Sequence, residues 1–202
     1  MTGHKDSKEV LDYWQQQAIL ARRESHDLRI LDEVKNIFVD DQGGGTLKDK
    51  ILRKLEIQTI VKYLPDGASV IDLGCGNGYS TYEFAARRNV TVVGVDYSNE
   101  MIFNANRSLE EHSNNEIVNR LQFKQADVMN LSTIEKDTFD VAITERCLIN
   151  LTSWEDQQKA IDQVRDVLKV GGLFIMLEGF IQGLYNLNQQ RRKFGLEDIK
   201  VV

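Results

Sequence analysis

Residues 70–78 read Val70-Ile71-Asp72-Leu73-Gly74-Cys75-Gly76-Asn77-Gly78, a short apolar run that breaks into three alternating glycines. The run has the composition of a buried strand, and the glycines permit a sharp turn immediately after it. Tyr79 to Arg88 then reads as a helix and Val90 to Val95 as a second, β-branched strand. The alternation continues with a helix near Asn99 to Glu111, strands at Leu121 to Gln125 and Phe139 to Thr144, a helix from Trp154 to Leu168 and a strand at Leu173 to Leu177. Alternating helices and apolar strands predict an α/β fold: a doubly wound, mostly parallel sheet with helices on both faces.

Upstream of this unit, Leu47 to Tyr63 carries apolar residues at helical intervals and is stopped by Pro65, the only proline, and Gly67. Residues 41–46, Asp-Gln-Gly-Gly-Gly-Thr, form the best internal boundary. They divide an N-terminal helical segment, 1–45, from a sheet domain, 46–202. In the N-terminal segment Val10, Leu11, Trp14 and Ala18 fall on one helical stripe, and a second helical stretch covers Leu28 to Val39. Tyr13 and Trp14 are placed to fold over the sheet as a lid hinged at Gly43-Gly44-Gly45.

Composition narrows the partners. The 202 residues are 42% apolar and 28% charged, which suits one globular domain with a small helical appendage. A net charge of −6 argues against a nucleic-acid partner, whose phosphates need clustered cations. The run Arg191-Arg192-Lys193 is short and reads as a solvated helix face. No stretch approaches the roughly 20 apolar residues of a membrane span, so a cytoplasmic protein is expected. Cys75 and Cys147 form no CxxC pair, and neither a disulfide framework nor a metal site is indicated.

In an open parallel sheet the ligand crevice lies beyond the carboxyl ends of the strands. Strand one ends in the glycine turn, strand two in Gly94-Val95-Asp96-Tyr97, strand three in Ala126-Asp127-Val128 and strand four in Thr144-Glu145-Arg146. Taken alone, Gly74 and Gly76 signal either a structural turn or a dinucleotide site. Two details separate ligands. The dinucleotide fingerprint needs a glycine where this chain has Tyr79. Asp72 sets a carboxylate beside the turn, which repels a pyrophosphate and suits the ammonium and sulfonium charges of S-adenosylmethionine. Asp96, about 20 residues beyond the glycines, can accept hydrogen bonds from both ribose hydroxyls, although a strand-end Asp also caps turns. Asp127 can accept from an adenine amino group while the Val128 amide donates to the ring, and Asp there is equally a turn residue. Met101 can pack on the adenine face or belong to the core.

These ordered motifs resemble the class I S-adenosylmethionine-dependent methyltransferases. Residues 70–78 are similar to that family's first motif, Val93 to Ser98 to its acidic ribose motif, Gln125 to Val128 to its adenine motif, Thr138 to Thr144 to its fourth strand and Val167 to Leu173 to the turn into the fifth. The resemblance covers about Leu55 to Glu178 and implies a Rossmann-like fold and methyl transfer from S-adenosyl-L-methionine, with S-adenosyl-L-homocysteine as product. It also implies a cofactor set of Asp72, Gly74, Cys75, Gly76, Asn77, Asp96, Tyr97, Met101, Ala126, Asp127, Val128, Glu145 and Arg146. Glu145 to Leu151, with Trp154, Gln157, Asn186 to Asn188 and Arg191, is similar to bacterial enzymes of surface-polysaccharide modification, which points to a small-molecule acceptor such as a sugar or glycan precursor.

The family usually closes its sheet with an antiparallel hairpin, and here one helix, Leu184 to Phe194, and a short tail are all that follow strand five. The expectation is a C-terminally truncated sheet whose edge, if Ile199 to Val202 begins a strand, invites pairing into a homodimer. For an oxygen acceptor Glu145 is the candidate general base; binding of cofactor or acceptor, or pairing with Arg146, are its alternatives. His4, His26 and His112 lie outside the motifs. The competing readings are an NAD(P)-dependent oxidoreductase and a non-catalytic cofactor-binding domain.

Overall fold

A computed structural model describes residues 8–13, 15, 16, 19, 50–111 and 114–200. Its strands are β1 (Ser69–Leu73), β2 (Thr91–Asp96), β3 (Leu121–Gln125), β4 (Phe139–Glu145) and β5 (Leu168–Leu177). Helices α1 (Lys50–Val61), α2 (Tyr79–Arg87), α3 (Asn99–Glu111), α4 (Asn115–Val118), α5 (Trp154–Val167) and α6 (Ile181–Lys193) connect and follow them. The sheet order is β3-β2-β1-β4-β5, and every neighbouring pair is parallel. This is the predicted Rossmann-like architecture.

The apolar strand residues explain the layering. Val70, Ile71 and Leu73 on β1 are fully buried because helices cover both faces of the central strands. One core joins Ile57, Ile60 and Phe84 to Val70, Val92 and Ile143. On the other face, Ala160, Val164 and Val167 pack with Ile71, Leu73 and Ala142. Each buried Val, Leu, Ile or Phe side chain among them contributes about 1.5–3 kcal/mol of transfer free energy. At the amino ends of the strands, the Asp140 carboxylate accepts from the Ser69 amide at 2.9 Å, the Ser69 hydroxyl at 2.8 Å and Lys169 Nζ at 2.8 Å, joining β1, β4 and β5.

Several boundaries differ from the sequence reading. β5 starts at Leu168, inside the stretch read as a turn, because Leu168 pairs with Phe139 before the register shifts and Val141 meets Leu173. Gly171, at φ 80°, absorbs the extra residues. The short α4 was not anticipated; Asn114 caps it by accepting from the Ile117 amide. α6 begins at Ile181 and buries only Asn188. Nor does Ile199 open a strand: the Asn188 side chain bonds both its amide and its carbonyl at 2.9 Å, folding the tail back on α6. Among the described residues no antiparallel hairpin follows β5, and no helix is long and apolar enough to cross a membrane. The boundary at residue 45, Trp14 and all three histidines lie outside the described residues.

Candidate functional site

The strand order reverses at β1, with β2 and β3 on one side and β4 and β5 on the other. Loops leaving β1 and β4 diverge there and open a crevice. The crevice has a volume of about 280 Å³ and takes its walls from the loops after β1, β2, β3 and β4. That is near the lower end of the range for small-ligand sites, about 300–1,000 Å³.

The glycine turn forms the floor. Gly74 and Cys75 both donate to the Val95 carbonyl, at 2.8 and 3.0 Å, which ties the turn to β2. Gly74 and Gly78 sit at φ 79° and 83°, in the left-handed region that favours glycine. A Cβ on Gly74 would lie 2.8 Å from the Cys147 Cβ and Sγ, and one on Gly78 would lie 2.5 Å from the Phe123 ring. Room at Gly74 and Gly78 is therefore taken up by the protein's own side chains. Gly74 and Gly76 line the crevice, whereas Cys75 and Asn77 do not. Cys75 packs on Ile102, Ala105 and Phe123, and burial pushes its thiol well above the usual range. The Asn77 side chain accepts from the Tyr79 amide at 3.3 Å as the chain enters α2.

Four carboxyl groups gather around this floor. Asp96 lines the crevice and binds the turn to the tip of β2, its Oδ2 accepting from the Gly76 amide at 2.9 Å and its Oδ1 from the Ser98 amide at 2.8 Å. Burial raises its pKa, against the lowering effect of those two amides. Asp72 lies beneath the turn, 2% exposed and outside the crevice lining, accepting from the Thr81 hydroxyl at 2.6 Å. Its pKa is pushed up to about 6, chiefly by burial. Glu145 lines the crevice with its side chain 6% exposed, and its Oε1 is buried without a hydrogen-bond partner. Burial first, and the nearby Asp72 second, push its pKa up to about 8. Asp127 is both a turn residue and a wall residue: Oδ1 accepts from the Met129 amide at 2.8 Å, and the residue faces the crevice.

Arg146, which also lines the crevice, adopts φ 56°. Its Nη1 pairs with Glu56 on α1, while Nη2 stands 3.7 Å from Glu145 Oε1, beyond hydrogen-bond reach. The sequence alternative of a Glu145–Arg146 pair thus exists as a loose contact, with Glu56 the closer partner. Tyr97, Met101, Ala126 and Val128 line the β2 and β3 side. Ser98, at the end of the ribose motif, also lines the crevice, and its hydroxyl accepts from the Met101 amide at 3.3 Å, capping α3. A Ser followed by a helical stretch is a cap signal that could have found it. Of the lid candidates, Tyr13 is outside the lining and 45% exposed, and among the described N-terminal residues Val10 and Leu11 reach the crevice.

This geometry has counterparts among known proteins. A family described as a methyltransferase domain matches residues 64–192. The chain belongs to this methyltransferase-domain family. Among curated proteins, the chain is 32% identical over 113 residues to an arsenite methyltransferase of Aquipseudomonas alcaligenes, covering 54% of this chain and 32% of that protein. It is 28% identical over 132 residues to the 27-O-demethylrifamycin SV methyltransferase of Amycolatopsis mediterranei, covering 65% and 46%. The domain thus spans less than half the length of either relative. Among solved structures, the glycopeptide N-methyltransferase MtfA complexed with S-adenosyl-L-methionine shares the fold with a TM-score of 0.52 at 21% identity, covering 60% and 52%. The [4+2]-cyclase SpnF shares it at 0.58 and 19%, covering 79% and 56%.

Proposed function

We propose that this methyltransferase domain binds S-adenosyl-L-methionine in the crevice and moves its methyl group to an oxygen or nitrogen of a small molecule, with sugars and glycan precursors the first class to test. The observation that carries the reading is the buried Oε1 of Glu145, which has no hydrogen-bond partner and only the 3.7 Å contact of Arg146, set beside Asp72 in a crevice also lined by Asp96 and Asp127. An acidic, desolvated wall of this kind favours a cation and disfavours a pyrophosphate. When bound, the donor supplies a methyl group on a positively charged sulfur and departs as S-adenosyl-L-homocysteine.

The chain's own residues then have separable tasks. Asp96, already fixed by two amides, offers remaining lone pairs to the ribose hydroxyls. Asp127 uses Oδ1 for its own turn and offers Oδ2 to an adenine amino group. Met101 and Val128 give that ring apolar contact. Glu145 balances the positive charge in its ionised form. As the charge disappears with methyl transfer, its low-dielectric surroundings again favour the protonated form, which matches it to take the acceptor's proton. Val10 and Leu11 support a lid role for the N-terminal helical residues, because closure over the crevice excludes competing water.

Calorimetry with S-adenosylhomocysteine and NAD tests the cofactor; binding of NAD alone would overturn the reading. A second reading, cofactor binding without methyl transfer, draws on the likeness to SpnF, since one fold hosts several chemistries. Transfer of a labelled methyl group from S-adenosylmethionine to an acceptor panel separates the two.

A further inference from the structure

The wall of the crevice between Arg146 and Leu151 is held by a residue that does not line it. Glu178 follows β5, and its carboxylate accepts from three successive backbone amides: Cys147 at 3.1 Å and Leu148 at 3.0 Å through Oε1, and Ile149 at 3.2 Å through Oε2. These amides open the 3₁₀ turn Leu148–Asn150. Being first in the turn, they have no helical acceptors of their own. Among the described residues no cation pairs with Glu178, so its charge is balanced by this concave set of N–H groups. The turn's other ties are weaker in charge: Asn150 Nδ2 donates to the Arg146 carbonyl at 2.7 Å, and Arg146 N donates to the Leu177 carbonyl at 2.9 Å.

We infer that Glu178 is a positioning residue for the reaction, fixing the Arg146–Leu151 wall at the height at which Cys147 packs under the glycine turn. The link to the floor is short. Cys147 Sγ lies 2.8 Å from the place a Gly74 Cβ would occupy, so the wall cannot rise without displacing Gly74. Gly179, next to Glu178, lies against Ile149, which also lines the crevice. The inference rests on the cofactor reading above.

Glu178→Gln keeps the shape but puts an amide nitrogen against one or two of the three donors. Glu178→Asp keeps the charge and shortens the reach. The test measures S-adenosylhomocysteine affinity by calorimetry and, independently of any ligand, hydrogen exchange at the amides of residues 147–149 and thiol labelling of Cys147. Asp140→Asn, which removes an equally well-bonded carboxylate at the opposite end of the sheet, is the control for general loss of stability. The expected result for Glu178→Gln is about tenfold faster exchange and labelling and about tenfold weaker binding, the worth of one charge-assisted hydrogen bond. Glu178→Asp should fall between it and the unaltered protein. Unchanged exchange and labelling in Glu178→Gln, or equal changes in Asp140→Asn, would overturn the inference. An unaltered protein that fails to bind S-adenosylhomocysteine would overturn the cofactor reading itself; normal binding in Glu178→Gln despite a loosened turn would overturn only the functional role given to Glu178.

Discussion

Raising the pH from 6 to 8 should strengthen S-adenosylmethionine binding while weakening the free fold, and Glu145 is the reason for both. Its carboxyl is held near pKa 8 by burial and by Asp72. At pH 6 a group titrating at about 8 is ionised in about 1% of molecules, so a cation that needs the carboxylate binds about a hundredfold more weakly than at the plateau, about 2.7 kcal/mol. Half of the sites are ionised by pH 8. Stability runs the other way. An acid whose folded pKa lies above its unfolded value stabilises the fold below the unfolded pKa, near 4.5, and that contribution is lost as pH rises through 8. Calorimetry across this range, in two buffers of different ionisation enthalpy, would read both the affinity and the protons released on binding. S-adenosylhomocysteine, which lacks the sulfonium charge, should show a shallower slope. Glu145→Gln should flatten the slope between pH 7 and 8, leaving the smaller contribution of Asp72, which titrates at about 6. A flat affinity from pH 6 to 8 in the unaltered protein, or an unchanged slope in Glu145→Gln, would refute the assignment of the cation to this carboxyl.

Other substitutions probe the floor and the frame. Asp96→Ala removes the acceptor of the Gly76 and Ser98 amides as well as the ribose contact, and should weaken S-adenosylhomocysteine binding at least about tenfold by calorimetry. Gly78→Ala combines a left-handed backbone with overlap on the Phe123 ring and should lower stability by about 2–4 kcal/mol in denaturant titration. Adding Phe123→Ala should remove the steric part of that cost and leave the backbone part. Asp140→Asn should lower the melting temperature at neutral pH, and the difference should narrow as pH falls below 4. The lysine and serine bonds hold this carboxyl near pKa 2, so its stabilisation exists above the unfolded value, 3.8, and fades as pH drops through 2.

Much of the candidate site was legible because strand ends carry its residues and strands announce themselves locally. Asp96, Asp127, Glu145 and Arg146 were placed by counting from apolar runs, and all four line the crevice. Asp72 and Cys75 were assigned to the same surface by proximity in sequence. Alternation along β1 sends Asp72 beneath the turn to Thr81, and the turn rotates Cys75 toward α3. Of the two lid candidates, Trp14 lies outside the described residues and Tyr13 is not in the crevice lining, whereas Val10 and Leu11 of the same helical stretch are.

Sequence alone determined the alternation of strands and helices, and with it the parallel sheet, the position of the glycine turn and the acidic character of the strand ends that line the crevice. Those follow from patterns a few residues long, governed by side-chain periodicity and backbone preference. Tertiary structure decided what the turn packs against, which partner Arg146 takes, where β5 begins and how high the crevice wall stands. Cys147 beneath Gly74, Phe123 beneath Gly78, Glu56 on Arg146 and Glu178 under the Cys147 amides join segments far apart in the chain. Contacts of that kind exist only once the sheet has brought strand ends together, because no local preference encodes the distance between them.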